Sequence, residues 1–520
     1  MVSSVQLEDF FASYSNDIIG YRQCFESPFG SKEIVYADWT ASGRAYRPIE
    51  TCMQNEILPF VGNTHTGTTI TGTLMSAAYE AAKSVVKKHV RANEQDALVF
   101  CGSGMTAAVN KLQRILGLRI PDRLTHYTKN GRESISIDET LRPMVFVTQM
   151  EHHSNQISWM ETIAKVAIIP NDDSGNVDME YFRAELERYR HVKNKIAAIT
   201  ACSNVTGIQT PYHRIARLLH TYGGICCVDF ACSAPYVNID MHPAEEGTHL
   251  DAIYFSPHKF LGGPGTPGVL VFNENLYANA VPDQPGGGTM AYSNPWAGRA
   301  YISGIEQRED GGTPPFLQAI RAAMCVQLKE EMGVDNILRR EEEMVQLIFS
   351  RMSRMKTVQV LEGHISKRLG VISFIVPGVH YNLIVKMLND RFGIQTRGGC
   401  SCAGTYGHHL LQIDAAESLE IFKAIQAGDL SCKPGWIRLS IHPTMTNAEI
   451  EFIMDAIELT ATHVSRWRKD YTYHPASNEF TFNGFEEKVP HTIGAWLNGY
   501  RESPLAETED TSSHLSKPFR

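Results

Sequence analysis

Short apolar runs set the rhythm of the first two thirds of the chain. They are Ala97-Leu-Val-Phe100, Met144-Val-Phe-Val147, Ile196-Ala-Ala-Ile199, Ile225-Cys-Cys-Val228, Ala252-Ile-Tyr-Phe255 and Val269-Leu-Val-Phe272. Turn residues bound the runs, and helical patterns such as Met105 to Leu116 separate them. Runs without polar alternation suit strands buried on both faces, so the pattern predicts an α/β fold with a mostly parallel sheet under helices. The polar stretch 119–142 interrupts the rhythm and reads as an inserted surface loop. Gly286-Gly-Gly288 and Gly311-Gly-Thr-Pro-Pro315 punctuate the end of this large unit.

A different pattern follows. Leu317 to Met355 predicts largely helical structure linking two domains, Gly370 to Val376 and Trp436 to Ile441 read as strands, and Tyr381 to Phe392 as a helix. Thr446-Asn-Ala-Glu449 is a capping-box pattern, in which the Thr and Glu side chains satisfy each other's orphan amides at a helix start. The expected division is a polar arm with one helical stretch over 1–32, a large domain over 33–315, and a linking helix with a small α+β domain over 316–468. A polar, partly disordered tail would occupy 469–520. No internal repeat is evident.

Composition narrows the function classes. The 520 residues are 43 % apolar and 20 % charged, as in an ordinary globular protein. A net charge of −9 spread over that length argues against a nucleic acid or an anionic membrane as partner. No run approaches the ~18 apolar residues of a membrane span. The segment Met1 to Phe11 has neither the basic start nor the apolar core of a targeting peptide. Eleven cysteines, some adjacent, fit reduced thiols in the cytoplasm better than a disulfide framework. No convincing second ligand pair for zinc is present, so no metal is expected.

Lys259 carries the most chemistry. It follows Ala252 to Phe255, stands beside Ser256 and His258, and precedes several glycines. A lysine so placed can form a Schiff base with the aldehyde of pyridoxal phosphate (PLP), which also needs an acid at its pyridine nitrogen. Asp229, at the end of another predicted strand, points into the crevice where open α/β sheets bind ligands. Cys101-Gly-Ser-Gly-Met105-Thr106 lies between a strand and a helix, where backbone amides attract anions. Glu151-His-His-Ser-Asn155 offers an imidazole to stack on a ring; two adjacent histidines would face apart on a strand and not share a metal. Arg438 offers a carboxylate fork. Arg397-Gly-Gly-Cys-Ser-Cys402 is a glycine-rich loop whose arginine favours a thiolate. Alone, each has a plainer reading, as a turn Asp, an exposed lysine, a salt bridge or a buried thiol.

Together these stretches resemble the class V aminotransferase family, and within it the cysteine desulfurase and selenocysteine lyase group, over roughly 33–465. The motifs are Ser256-Pro-His-Lys259, Val228-Asp-Phe-Ala231, Glu151-His-His-Ser-Asn155, Gly312-Thr-Pro314 and the Arg397 to Cys402 loop. The resemblance implies a fold-type I PLP enzyme with a seven-stranded sheet, normally a homodimer. It implies that Lys259 holds PLP, Asp229 pairs with the pyridinium, and His152 stacks on the ring. Met105, Thr106, Ser256 and His258 would lie at the phosphate, and Thr313 at the phosphate of the partner subunit. Asn204 would lie near substrate and cofactor, with Ala41 of the small-residue turn Asp38 to Gly43 also on the substrate side. Arg438 and Arg397 would face the substrate, and Cys402 would carry a persulfide passed to a sulfur-acceptor protein. Cys232 stands where desulfurases usually have Gln, and Gly-Gly-Cys-Ser-Cys replaces a histidine-preceded cysteine. The implied reaction converts a small amino acid to alanine with C–S cleavage. Aminotransfer, β-elimination without Cys402, and a non-catalytic scaffold are the alternatives.

Overall fold

A computed structural model describes residues 4–127, 137–296, 298–487 and 489–499. The predicted runs form a seven-stranded sheet: β1 (Asp96–Cys101), β2 (Met144–Thr148), β3 (Lys165–Ile169), β4 (Lys195–Thr200), β5 (Ile225–Asp229), β6 (Ala252–Phe255) and β7 (Gly268–Asn273). Their spatial order is β1-β7-β6-β5-β4-β2-β3. Five strands run parallel to their neighbours, while β7 is antiparallel to both β1 and β6. Side chains alternate between two apolar layers, as a period of two demands. Leu98, Phe100, Ala197, Ile199, Val228 and Ile253 enter one layer, and Ala97, Val99, Ala198, Cys227 and Tyr254 enter the other. This is why the runs lack polar alternation. The edge strand β3 was not among the predicted runs; it pairs on one side only and starts with an exposed lysine.

The remaining helices used below are α1 (Ser4–Ser15), α2 (Met105–Ile115), α3 (His153–Met160), α4 (Tyr212–His220), α5 (Phe316–Met332), α6 (Val334–Met352), α7 (Tyr381–Phe392) and α8 (Asn447–Trp467). The linking segment is two helices because Gly333, at φ 76°, breaks the turn between α5 and α6. A second, four-stranded sheet contains β8 (Gln359–Val360), β9 (Val371–Ile375), β10 (Arg397–Gly399) and β11 (Trp436–Ser440), in the antiparallel order β8-β9-β11-β10. The capping box opens α8 as expected: Glu449 N donates to Thr446 Oγ1 at 3.0 Å and Thr446 N to Glu449 Oε2 at 2.7 Å. The N-terminal arm is docked, with Leu7 and Phe11 of α1 buried and Ser15 Oγ donating to Thr444 O at 2.6 Å.

The structure differs from the sequence reading in the tail. Residues 469–487 do not leave the fold: β12 (Tyr471–His474) and β13 (Glu479–Phe482) form a hairpin. Its rings Tyr473 and Phe480 pack on His380, and Phe482 on Phe29. A helix spans Val489–Gly499, and 500–520 lie outside the described residues. The expected loop over 119–142 is described only in part; its first stretch makes a turn over Asp122–Tyr127. Among the described residues, no helix is long and apolar enough to cross a membrane.

Candidate active site

The carboxyl ends of the central strands converge on a cavity of about 890 Å³. Strand β5 ends on Asp229, paired in register with Tyr254 of β6. Strand β6 continues through Ser256 into the turn Pro257–Lys259, so lysine and carboxylate arrive side by side from adjacent strands. The turn is clamped from above. Gly43 N donates to His258 O at 2.9 Å, and a Cβ at Gly43 would stand 1.9 Å from Phe260 O, so only glycine fits. Burial holds the Lys259 amine below the usual lysine range, countered by Cys232 and Asp229. Burial pushes Asp229 up to about 6, while the amide of Ala231, 2.8 Å from Oδ1, and Lys259 both pull it down. His152 caps α3, its Nδ1 accepting from Ser154 N at 3.1 Å. Burial, then Lys259, takes that imidazole down to about 3, so it is neutral near pH 7.

At one end, the amides at the start of α2 open onto the cavity. Gly104 lets the backbone approach closely: a Cβ there would lie 3.0 Å from Ser256 Oγ and 3.4 Å from His258 Nε2. Met105 N donates to Ser256 Oγ at 2.8 Å, and the hydroxyls of Thr106 and Ser154 share a hydrogen bond at 2.7 Å. Burial and then Lys259 lower His258 to about 4.

The other end belongs to Arg438, on β11 and almost fully buried. Its Nη2 donates to Asp38 Oδ1 at 2.8 Å and its Nη1 to Asn204 O at 3.2 Å, while Nε has no partner among the described residues. Arg397 Nε donates to the other oxygen of Asp38 at 2.9 Å, so a single carboxylate bridges both arginines. Asp38 reaches them because its segment runs beside β11, with Ser440 N donating to Ala37 O at 2.8 Å. The Cys402 loop closes this side. Ser401 and Cys402 both adopt left-handed backbone, at φ 49° and 56°, which costs about 1 kcal/mol or more each for residues with a Cβ. Four hydrogen bonds hold them there. Asn204 Nδ2 donates to Ser401 O at 2.7 Å, His153 N to Cys402 O at 2.7 Å, Gly404 N to His153 Nε2 at 2.9 Å, and Trp436 Nε1 to Ser401 Oγ at 3.2 Å. Cys402 itself is exposed, and Cys400 is half-buried.

Beneath His152 lies a buried polar network. Glu151 accepts from Thr200 N at 2.8 Å, Thr148 Oγ1 at 2.7 Å and Asn155 Nδ2 at 2.7 Å; Asn155 Oδ1 accepts from Tyr254 O–H at 2.7 Å. Burial pushes Glu151 up to about 7 despite these donors. Glu151→Ala orphans three donors and is expected to cost about 3 kcal/mol. The folded protein holds the Glu151 proton more tightly than the unfolded chain does. Its contribution is therefore complete below pH 4.5 and lost as pH rises through about 7. Urea unfolding should accordingly show a larger loss in the variant at about pH 5 than at about pH 8.

The cavity collects nearly all the residues singled out from sequence. Lys259, Asp229, His152 and Cys232 line its floor; Met105, Thr106, Ser256 and His258 line the anion end; Ala41, Asn204, Arg397, Arg438 and Cys402 line the rest. Thr313 does not line it; its hydroxyl is 3.4 Å from Asn63 Oδ1 at an exposed site. Cys232 and buried Cys202 both donate through Sγ to Ser203 O at 3.7 Å; the neighbouring Cys202 thiol holds the Cys232 thiol low, and burial pushes Cys202 up. Sequence reasoning passed over Asp38, Glu151 as a support, and Asn478, which brings the tail hairpin to the cavity wall. Of these only Asp38 stands out in the sequence, as the single charge in the turn 38–43, with nothing local to name its arginine partners.

A lysine and a carboxylate at adjacent strand ends thus share one cavity with an amide cradle and a buried arginine. The family profile of Aminotransferase class-V matches residues 35–453, and the chain belongs to that family. It is 28 % identical over 379 residues to a protein of Halalkalibacterium halodurans named probable cysteine desulfurase, covering 71 % of this chain and 84 % of that one. A Staphylococcus aureus protein of the same name is 27 % identical over 392 residues, covering 75 % and 87 %. The fold matches the apo structure of a cysteine desulfurase from Thermococcus onnurineus NA1, with TM-score 0.67 and 22 % identity over 86 % of this chain and 98 % of that one. It also matches an Escherichia coli cysteine desulfurase, with TM-score 0.64 and 19 % identity over 89 % and 99 %.

Proposed function

We propose that the protein is a PLP-dependent, cysteine desulfurase-like enzyme that cleaves the C–S bond of a small amino acid, giving alanine and a persulfide on Cys402. One observation carries this reading: a single cavity holds Lys259, Asp229 and Cys402 together. The names of the curated relatives point the same way.

The residues present fit PLP. The amides before and within the first turn of α2, with Ser256, Thr106 and His258, suit its phosphate. The buried Asp229 has one oxygen bound to Ala231 N and suits a protonated ring nitrogen. Neutral His152 presents a flat ring over the floor. When bound, PLP supplies an electron sink that weakens bonds at the substrate's α- and β-carbons. The chain's own groups do the rest. Lys259 Nζ, with its proton affinity lowered by burial, accepts the α-proton and returns it to carbon. Arg438 and the Asn204 amide orient the substrate carboxylate. The Cys402 thiolate attacks the substrate sulfur: an S–S bond forms, the C–S bond breaks, and its electron pair stays with the carbon fragment, which is protonated to alanine. Exposure of Cys402 suits onward transfer of sulfur to an acceptor protein. Thr313, exposed away from its own cavity, suits contact with the site of a second copy in a homodimer. Eleven free cysteines suit a reducing cytoplasm.

The test is an amino-acid screen on pure, PLP-loaded protein, scoring alanine, sulfide and keto acids. The expected result is equimolar alanine and thiol-reducible sulfur from cysteine or selenium from selenocysteine. Keto-acid-dependent amino transfer, pyruvate with ammonia, or no turnover with any amino acid would refute the desulfurase reading.

A further inference from the structure

A second cavity, of about 500 Å³, lies in the small domain and shares no lining residue with the first. Volumes of that order suit a small ligand. The tail hairpin builds part of its wall. Alternate residues of β12 and β13 face the same way, so Tyr471 and Tyr473 share a face with Phe480, the register partner of Tyr473. The Tyr473 and Phe480 rings lie 4.7 Å apart by centroid, and His380 completes the group at 5.2 Å from one and 5.4 Å from the other. Val376, Val379 and Leu383, with Ala461 and Val464 of α8, add aliphatic lining.

The polar lining has one sign. Lys356 and Arg468 stand beside the hydroxyls of Thr357 and Ser465, and the lining contains no Asp or Glu. Both cations are exposed, and neither makes an ion pair among the described residues. His380 adds a donor. Its Nδ1 accepts from Asn382 N at 3.1 Å, so the neutral ring carries its proton on Nε2. Burial holds this imidazole below the usual histidine range, which keeps it neutral near pH 7. Neither His380 Nε2 nor the buried Tyr471 hydroxyl completes a hydrogen bond among the described residues, although Asn478 and Arg391 stand near them. Buried donors of this kind suit an acceptor atom. Aromatic packing alone would hold the hairpin down, but it calls for neither the two cations nor the two spare donors.

We propose that this cavity is a binding site for a small molecule with a planar ring and an anionic group, a mononucleotide or an aromatic carboxylic acid. The ring packs against Tyr473, Phe480 and His380, and the phosphate or carboxylate meets Lys356 and Arg468. The site adjoins the active-site cavity through the hairpin turn. Tyr473 O–H donates to Asn478 Oδ1 at 2.9 Å, Asn478 Nδ2 to Tyr381 Oη at 2.7 Å, and Asn382 Nδ2 to Asn478 O at 2.6 Å. Asn478, Tyr381 and Asn382 all line the active-site cavity, so a ligand that holds Tyr473 also braces that wall.

The experiment titrates adenosine monophosphate and, separately, indole-3-acetate into PLP-loaded full-length protein by calorimetry. Loading with PLP keeps the probes out of the anion end at α2. At least one probe is expected to bind, one molecule per chain; the nucleotide alone would assign a nucleotide site, and the acid alone an aromatic-acid site. Arg468→Gln and Lys356→Gln, at exposed positions, should each weaken binding about tenfold or more, and Phe480→Ala by about the same factor. The visible spectrum of bound PLP should be the same in all three variants. Binding of neither probe, or binding unchanged in both Arg468→Gln and Lys356→Gln, would overturn the proposal. Binding is read directly, so a failed desulfurase assay would leave this site standing.

Discussion

Lys259→Ala is expected to lower amino-acid turnover by about 10⁴-fold, the upper range for removal of a positioned proton-transfer group. Two lysines line the cavity, and the other, Lys433, is exposed. Lys259 alone stands beside Asp229, with its amine held below the ordinary range. No neighbour replaces it: His152, at about 3, and His258, at about 4, are too weakly basic near pH 7. The measurement is single-turnover alanine formation with a visible spectrum of the same sample. A fold check is built in, because the Met105–Ser256 hydrogen bond leaves the anion end intact without the lysine. Near-normal turnover would remove Lys259 from the mechanism.

Cys402→Ser is expected to reduce alanine formation from cysteine to below roughly one hundredth of wild type, as loss of a nucleophile does. The substitution is nearly isosteric, and the loop is held by backbone and neighbouring groups, not by the Cys402 sulfur. Substrate binding, read as a change in the visible spectrum, should therefore survive while sulfur transfer is lost. That split separates a thiol acting on sulfur from a loop that merely shapes the cavity. Cys400→Ser serves as the companion: its half-buried thiol is two residues away, and full activity there would assign the persulfide to Cys402 alone. Alanine formation at the normal rate in Cys402→Ser would eliminate the thiol step.

Legibility in the sequence tracked how local the cause was. The central strands were readable because burial on both faces leaves an unbroken apolar run, and Tyr381–Phe392 and the Thr446 cap were readable because helix signals lie within a few residues. Lys259 and Asp229 were readable because each ends such a run. The tail hairpin was hidden by its composition: Tyr471-Thr-Tyr-His474 and Glu479-Phe-Thr-Phe482 alternate aromatic and polar residues at a surface, and average to a polar segment. The Asp38 bridge between Arg397 and Arg438 had no local sign at all, since its partners lie some 360 and 400 positions away. The support role of Glu151 was equally invisible, because its donors come from the ends of two strands and from a helix.

The two groups best suited to grip a substrate carboxylate are already engaged, Arg438 with Asp38 and the Asn204 amide with the Ser401 carbonyl. An arriving amino acid must trade places with an internal tenant and gains only the difference between two similar contacts. Such an exchange keeps ground-state affinity modest and leaves more of the binding energy for the later, reacting geometry. In the proposed reaction it would also tie admission to release: a substrate that drew Asn204 away from Ser401 would remove one of the four restraints on the turn carrying Cys402 and free the thiol to travel.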